Sequence, residues 1–191
     1  MGEVRAALLI VLLLVVAGCG PLDATQAGGD QADPVRLLTV LPSPGDLRGP
    51  DAQEADAAEL ARAFSGSDDA TLAQRITDRD PVSAGIREWT NPDGGTMTAA
   101  VTVWDSHLTA VGVGSDIATL LINGGDAAAW TPSDVPGSRG ARIDDPARRE
   151  LRLAYSIGPN SLYVRSTGSV PEATVVKTLK RLIEALPSQL K

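Results

Sequence analysis

One cysteine, one histidine and one phenylalanine in 191 residues leave this chain little of the usual reactive chemistry. A lone cysteine cannot close an intrachain disulfide, so the fold must be held by its core. Cys19 and His107 supply no cluster of nitrogen and sulfur ligands, and no metal site is expected. Aromatic residues make up 3% of the chain, which is thin for stacking on sugars. Positive charge is also in short supply, with 17 Lys and Arg against 24 Asp and Glu and a net charge of -7. An acidic surface excludes nucleic acid as a natural partner and gives no electrostatic grip on anionic headgroups. Finally, the one strongly apolar run, Ala6 to Ala17, is about a dozen residues, whereas a helix crossing a bilayer needs roughly 20.

That short run ends in Val16-Ala17-Gly18-Cys19. Small residues after an apolar h-region suit a signal-peptidase cleft. With the only cysteine placed directly behind them, the segment resembles the lipobox of a bacterial lipoprotein. Cleavage between Gly18 and Cys19 and lipidation of Cys19 are what the resemblance implies. A diacylglyceryl group carries two chains, enough for a stable anchor where one chain is marginal. The division that follows is a signal peptide over 1–18 and a lipidated tether over 19–34. A single α+β extracytoplasmic domain over 35–187 and a short tail over 188–191 complete it. Gly20 to Pro34 has a single large apolar residue, Leu22, and as a flexible tether reaches about 20 Å. Abundant Ala, Gly, Arg and Asp with scarce Lys, Phe, Tyr and Asn match the bias of GC-rich actinobacterial genomes.

Periodicity supplies the architecture. Asp51 with Glu54 has capping-box spacing and predicts a helix near 52–64, and Asp68 or Asp69 caps a second one carrying Leu72, Ala73 and Ile76. From Ala84 the period changes to two: 84–90, a turn at Asn91-Pro92-Asp93-Gly94-Gly95, and Met97, Ala99, Val101 and Val103 read as a hairpin with one buried face. Asp105 or Ser106 then caps a helix running to Ile122. Residues 124–148 read as a long surface connection anchored by Trp130. A second hairpin turns at Gly158-Pro159-Asn160, and Ser169 with Glu172 predicts a capping box for an amphipathic helix through Leu186. Strand, strand, helix thus occurs twice, and the economical fold is an antiparallel sheet with helices packed on one face.

The lipobox, Leu41-Pro42, the stretches Arg87-Glu88-Trp89-Thr90 and Val103-Trp104-Asp105-Ser106-His107, and Gly158-Pro159-Asn160 with Leu162-Tyr163-Val164 resemble uncharacterised actinobacterial lipoproteins. Their layout is also similar to the extracellular sensor-type domain of some mycobacterial serine/threonine kinases. The resemblance implies an extracytoplasmic sensing or binding module without established catalysis. The two cysteine pairs of the kinase-attached domains have no counterpart here.

Candidate chemistry is sparse. Asp105-Ser106-His107 holds all three triad residue types, but neighbours in sequence diverge in space and capping accounts for the first two. Gly112-Val113-Gly114 is followed by Ile117 where a dinucleotide fingerprint needs its third glycine, so no cofactor is expected. The acids Asp68-Asp69, Asp78 with Asp80, and Asp144-Asp145 lack EF-hand spacing and read as solvated loops. Arg139, Arg142, Arg148, Arg149 and Arg152 alternate with Asp144, Asp145 and Glu150 as a mixed-charge surface. Trp104 falls opposite the core face of its strand. With Trp130 it is a possible ligand or partner surface, unless a helix or the long connection covers that face. The function expected is a membrane-held, non-catalytic binding module. A hydrolase with paired carboxylates and a scaffold for a membrane complex stand as the alternatives, and ligand and protein partner are unassigned.

Overall fold

The computed structural model describes residues 32–122 and 127–187, so Gly18 and Cys19 lie outside the described residues. Five helices and seven strands follow in the order α1 (Pro34–Thr39), β1 (Gln53–Glu54), α2 (Ala57–Ser65), α3 (Ala70–Thr77), β2 (Ser83–Thr90), β3 (Thr96–Val103), α4 (His107–Ile122), β4 (Ala128–Trp130), β5 (Arg139–Ile143), β6 (Glu150–Ile157), β7 (Asn160–Thr167) and α5 (Glu172–Ala185). The strands form one antiparallel open sheet, β1-β2-β3-β7-β6-β5-β4. An α+β fold with an antiparallel sheet is what the sequence predicts.

Placing the helices on one face is corrected. Met97, Ala99, Val101, Leu151, Leu153, Leu162 and Val164 face α1 and α5, where Leu38, Val175, Leu179 and Leu182 meet them. The alternate residues Ile86, Ala100, Ala154 and Tyr163 face α2, α3 and α4 through Leu60, Phe64, Ile76, Ala110 and Val113. Side chains alternate along a strand, so these two cores lie on opposite faces of the sheet. Seven of the eight residues of β3 are buried, and the pattern of a half-exposed strand is absent there. The reason is in the sequence: Ala100 and Trp104 are apolar on the second face, and only the threonines suggested solvent.

The local signals fared unevenly. The capping box sits five residues later than its expected place, with Asp56 Oδ1 accepting from the Glu59 amide at 2.8 Å and Glu59 Oε2 accepting from the Asp56 amide at 2.9 Å. Gln53 and Glu54, expected inside that helix, instead form the edge strand β1 against Ile86 and Gly85. Asp69 caps α3 as predicted, accepting from the Leu72 amide. Ser169 does not cap α5, whose N-cap is Pro171; the Ser169 hydroxyl accepts from Asn91 Nδ2 at 2.9 Å instead. The expected surface connection over 124–148 contains β4 and β5, with Ala141 and Ile143 buried. The folded body also begins before Val35, because Ala32 and Pro34 are buried.

One buried cation holds α1 in place. Arg87 on β2 donates through a single guanidinium nitrogen to the carbonyls of Leu38 at 2.9 Å and Leu41 at 2.8 Å, and through Nε to Pro50 at 3.2 Å. The carbonyl end of a helix carries partial negative charge and lacks intrahelical donors, so a guanidinium there satisfies both needs. Its Cζ lies 5.1 Å from the Trp89 ring centroid. Arg87→Met keeps the stem but strands the Leu41 and Pro50 carbonyls, while Leu38 keeps the Leu41 amide as donor. Each costs about 1–3 kcal/mol, and we expect a loss of about 3 kcal/mol in denaturant unfolding. A variant as stable as wild type shows that α1 does not depend on this contact.

Candidate functional site

A groove of about 800 Å³ lies between α5 and the turn that follows β4. Both walls are fixed from behind. Val175, Leu179 and Leu182 bury one face of α5 against the sheet, leaving Glu172, Lys177, Lys180, Arg181 and Glu184 on its outer side. Across the groove, Trp130 and Val135 are buried in the same core and hold a tight turn, in which the Val135 amide donates to the Pro132 carbonyl at 3.1 Å. The Ser138 hydroxyl closes it, donating to the Val135 carbonyl at 2.7 Å.

The lining is mixed. Pro132, Ala173 and Val176 contribute apolar surface, and three cations and three acids surround them, with Lys180 Nζ 3.8 Å from Asp134. Volumes of this order take drug-sized ligands. Balanced charge on both walls suits a polar or zwitterionic molecule that lies along the helix. A second cavity of about 100 Å³, under α4 and lined by Gly114, Arg139, Ala154 and Ser156, has room for only a few waters.

Trp104 is fully buried against α4, and its Nε1 donates to Ser161 Oγ at 2.9 Å. That face is covered, so Trp104 offers no ligand or partner surface and belongs to the core. Trp130 is 9% exposed and belongs to the core, but two residues further on Pro132 enters the groove wall. Its part is to anchor that wall from within. His107 Nδ1 pairs with the Gly158 carbonyl at 2.8 Å, Ser106 Oγ accepts from the Thr109 amide, and Asp105 accepts from the Thr109 hydroxyl. The three residues secure the start of α4 and form no triad. Gly114 serves packing, since a Cβ there would stand 3.1 Å from the Ser156 hydroxyl.

The acidic pairs are dispersed among structural tasks. Asp68 pairs with Arg62 at 2.8 Å, Asp69 caps α3, Asp78 accepts from Gln74, and Asp144 pairs with Arg142 at 3.0 Å. Of the arginine cluster, Arg152 alone turns inward. It pairs with Glu150, which also accepts from Arg165 at 2.6 Å, and its other guanidinium end donates to the Ser65 carbonyl at 2.7 Å. The Arg165 guanidinium occupies the space a Cβ on Gly66 would need, and Gly66 has φ +82, so only glycine fits there. The cations of α5 that line the groove were hidden in sequence by a helical pattern that reads as ordinary solvent face. Only knowledge of what stands opposite α5 reveals them.

Burial raises the Glu150 pKa, but hydrogen bonds and charge from Arg152 and Arg165 outweigh it and hold the group below its ordinary 4.5. A depressed carboxyl stabilises the fold above its unfolded pKa, and that contribution is lost as pH falls through the folded value. Glu150→Gln should therefore unfold more easily at neutral pH and show a shallower loss of stability below about pH 4.3. Breaking a buried ionic cluster from one side costs about 3 kcal/mol. Denaturant melts from pH 7 to pH 3 measure both, and parallel profiles for the two proteins refute the linkage.

No family model matches the chain, and no curated protein matches it in sequence. Among solved structures, the extracellular domain of PknH from Mycobacterium tuberculosis is similar, with a TM-score of 0.56 at 9% identity over 82% of this chain and 97% of that one. At that identity the likeness is one of fold, and it spans nearly the whole of the extracellular domain.

Proposed function

We propose that this chain is an extracytoplasmic, non-catalytic binding or sensing module, held at the cell membrane by a lipid on Cys19. The observation that carries the binding role is the groove along α5. It is large enough for a small molecule, open to solvent and walled on both sides by side chains whose backbones the core fixes. Fixed backbones on both walls hold the spacing between the charged groups, so the ordering cost of binding falls on the side chains alone. The residues with the most catalytic look, Asp105, Ser106 and His107, are engaged in holding the start of α4. The fold shared with an extracellular domain supports an extracytoplasmic setting, and Val16-Ala17-Gly18-Cys19 supports the anchor.

Native mass spectrometry of the full chain, extracted from its host membrane in detergent, tests the binding role. A bound small molecule is expected, and Ala173→Trp, at an exposed position of the lining, should remove it by filling the groove while the protein stays folded. Protein mass alone, in wild type and variant, counts against a ligand carrier; a stable protein adduct instead supports a scaffold.

The anchor has its own test. Cys19→Ser should leave the chain unprocessed or move it out of the lipidated membrane fraction. A variant that still partitions into detergent with an attached lipid overturns the assignment of Cys19.

A further inference from the structure

Two backbone hydrogen bonds and one side-chain contact gather one rim of the sheet. The Val82 amide donates to the Val103 carbonyl at 2.9 Å, the Trp104 amide donates to the Pro159 carbonyl at 2.9 Å, and His107 pairs with the Gly158 carbonyl. Pro81-Val82, the first turn of α4 and the Gly158-Pro159 turn therefore sit together at the end where β2 and β7 begin and β3 and β6 finish. Among the described residues three large apolar side chains are exposed, and two of them, Leu108 at 81% and Val82 at 50%, belong to this rim.

The folded chain also begins near this end. A Cβ on Gly85 would stand 3.1 Å from the backbone of Pro34 and Val35, and Gly85 is three residues from Val82. From there α1 runs along β2 toward Arg87, which holds its carbonyl end. We propose that this rim rests on the lipid surface, with Leu108 and Val82 entering the interface. The inference depends on the lipid anchor at Cys19 proposed above.

Reach supports that orientation. Cys19 and Ala32 are 13 positions apart, which even fully extended spans at most about 45 Å. A strand rises about 3.3 Å per residue, so the rim at Ser83 is about 7 Å from Gly85 and the Thr90 end about 17 Å, and contact at the rim asks for the shorter span. The contact is apolar in character: Asp80 and Asp105 are exposed beside the rim, and Arg79 is committed to Asp116 at 2.5 Å. Neutral headgroups suit it better than anionic ones.

The full chain allows a clean test, because Cys19 is its only thiol and lipidation consumes it. Leu108→Cys, or Asp93→Cys in the turn at the opposite strand end, then offers one labelling site for an environment-sensitive fluorophore. In vesicles of neutral phosphatidylcholine the label at 108 should shift to the blue and escape quenching by aqueous iodide, while the label at 93 stays wet. Equal quenching at both sites in chains that float with the vesicles overturns the rim contact and leaves the anchor standing. Chains that fail to float overturn the anchor and the rim together. A blue shift at 108 that persists in the Cys19→Ser, Leu108→Cys chain without vesicles assigns the rim to a second copy and overturns the lipid assignment.

Discussion

A sheet whose central strands are buried on both faces is the constraint on which the rest of this structure depends. β3, β7 and β6 carry apolar side chains inward on one side and a mixture of apolar and polar ones on the other. The first side is an ordinary core. The second must find partners for hydroxyls and charges taken from water, since an unmet buried polar group costs about 1–3 kcal/mol. Apart from the Thr102 hydroxyl, which is buried without a partner, it finds them chiefly at helix ends. Tyr163 and Arg152 donate to the carbonyls of Phe64 and Ser65 where α2 finishes, and Ser156 and Ser161 both donate to the Ala110 carbonyl in α4. The helices of that layer are thus positioned by hydrogen bonds as well as by apolar contact, and Glu150 with its two arginines completes the polar part.

The twofold occurrence of hairpin and helix turns out to be a repeat of order without symmetry. The two hairpins meet at β3 and β7 with Ala100 opposite Tyr163, and a rotation about the sheet normal would relate them. Such a rotation keeps both helices on one side. Here α4 packs on the Tyr163 side and α5 on the Val164 side, so the two units differ in the hand of their final connection. The asymmetry separates their tasks. A cavity of about 100 Å³ lies under α4, whereas α5 leaves a groove of about 800 Å³ between itself and the turn after β4.

How much of this could be read from the chain depends on the range of the interaction involved. Both hairpins, the cap of α3 and the final helix follow from residues within a turn of each other, and they were legible. Trp104 was not, because its environment is set by α4 and Ser161, the latter far along the chain. β5 was obscured because Arg139 and Arg142 interrupt its apolar pattern, although Ala141 and Ile143 are buried. β1 was masked by acids that mimic a helix start, since Asp51 and Glu54 have the spacing of a capping box that Asp56 and Glu59 form. The groove was the least legible feature. Its residues come from α5 and from a turn some forty positions earlier, and no local pattern announces that they face each other.

The sheet is open, yet its two margins are a strand of two residues and a strand of three. A margin that short offers an incoming strand only a few free amides and carbonyls, too few to hold it. Proteins crowded side by side in two dimensions meet one another far more often than the same molecules dispersed in a volume. Were the chain held at a membrane as proposed, blunt margins would let many copies stand close together without zipping into a continuous sheet.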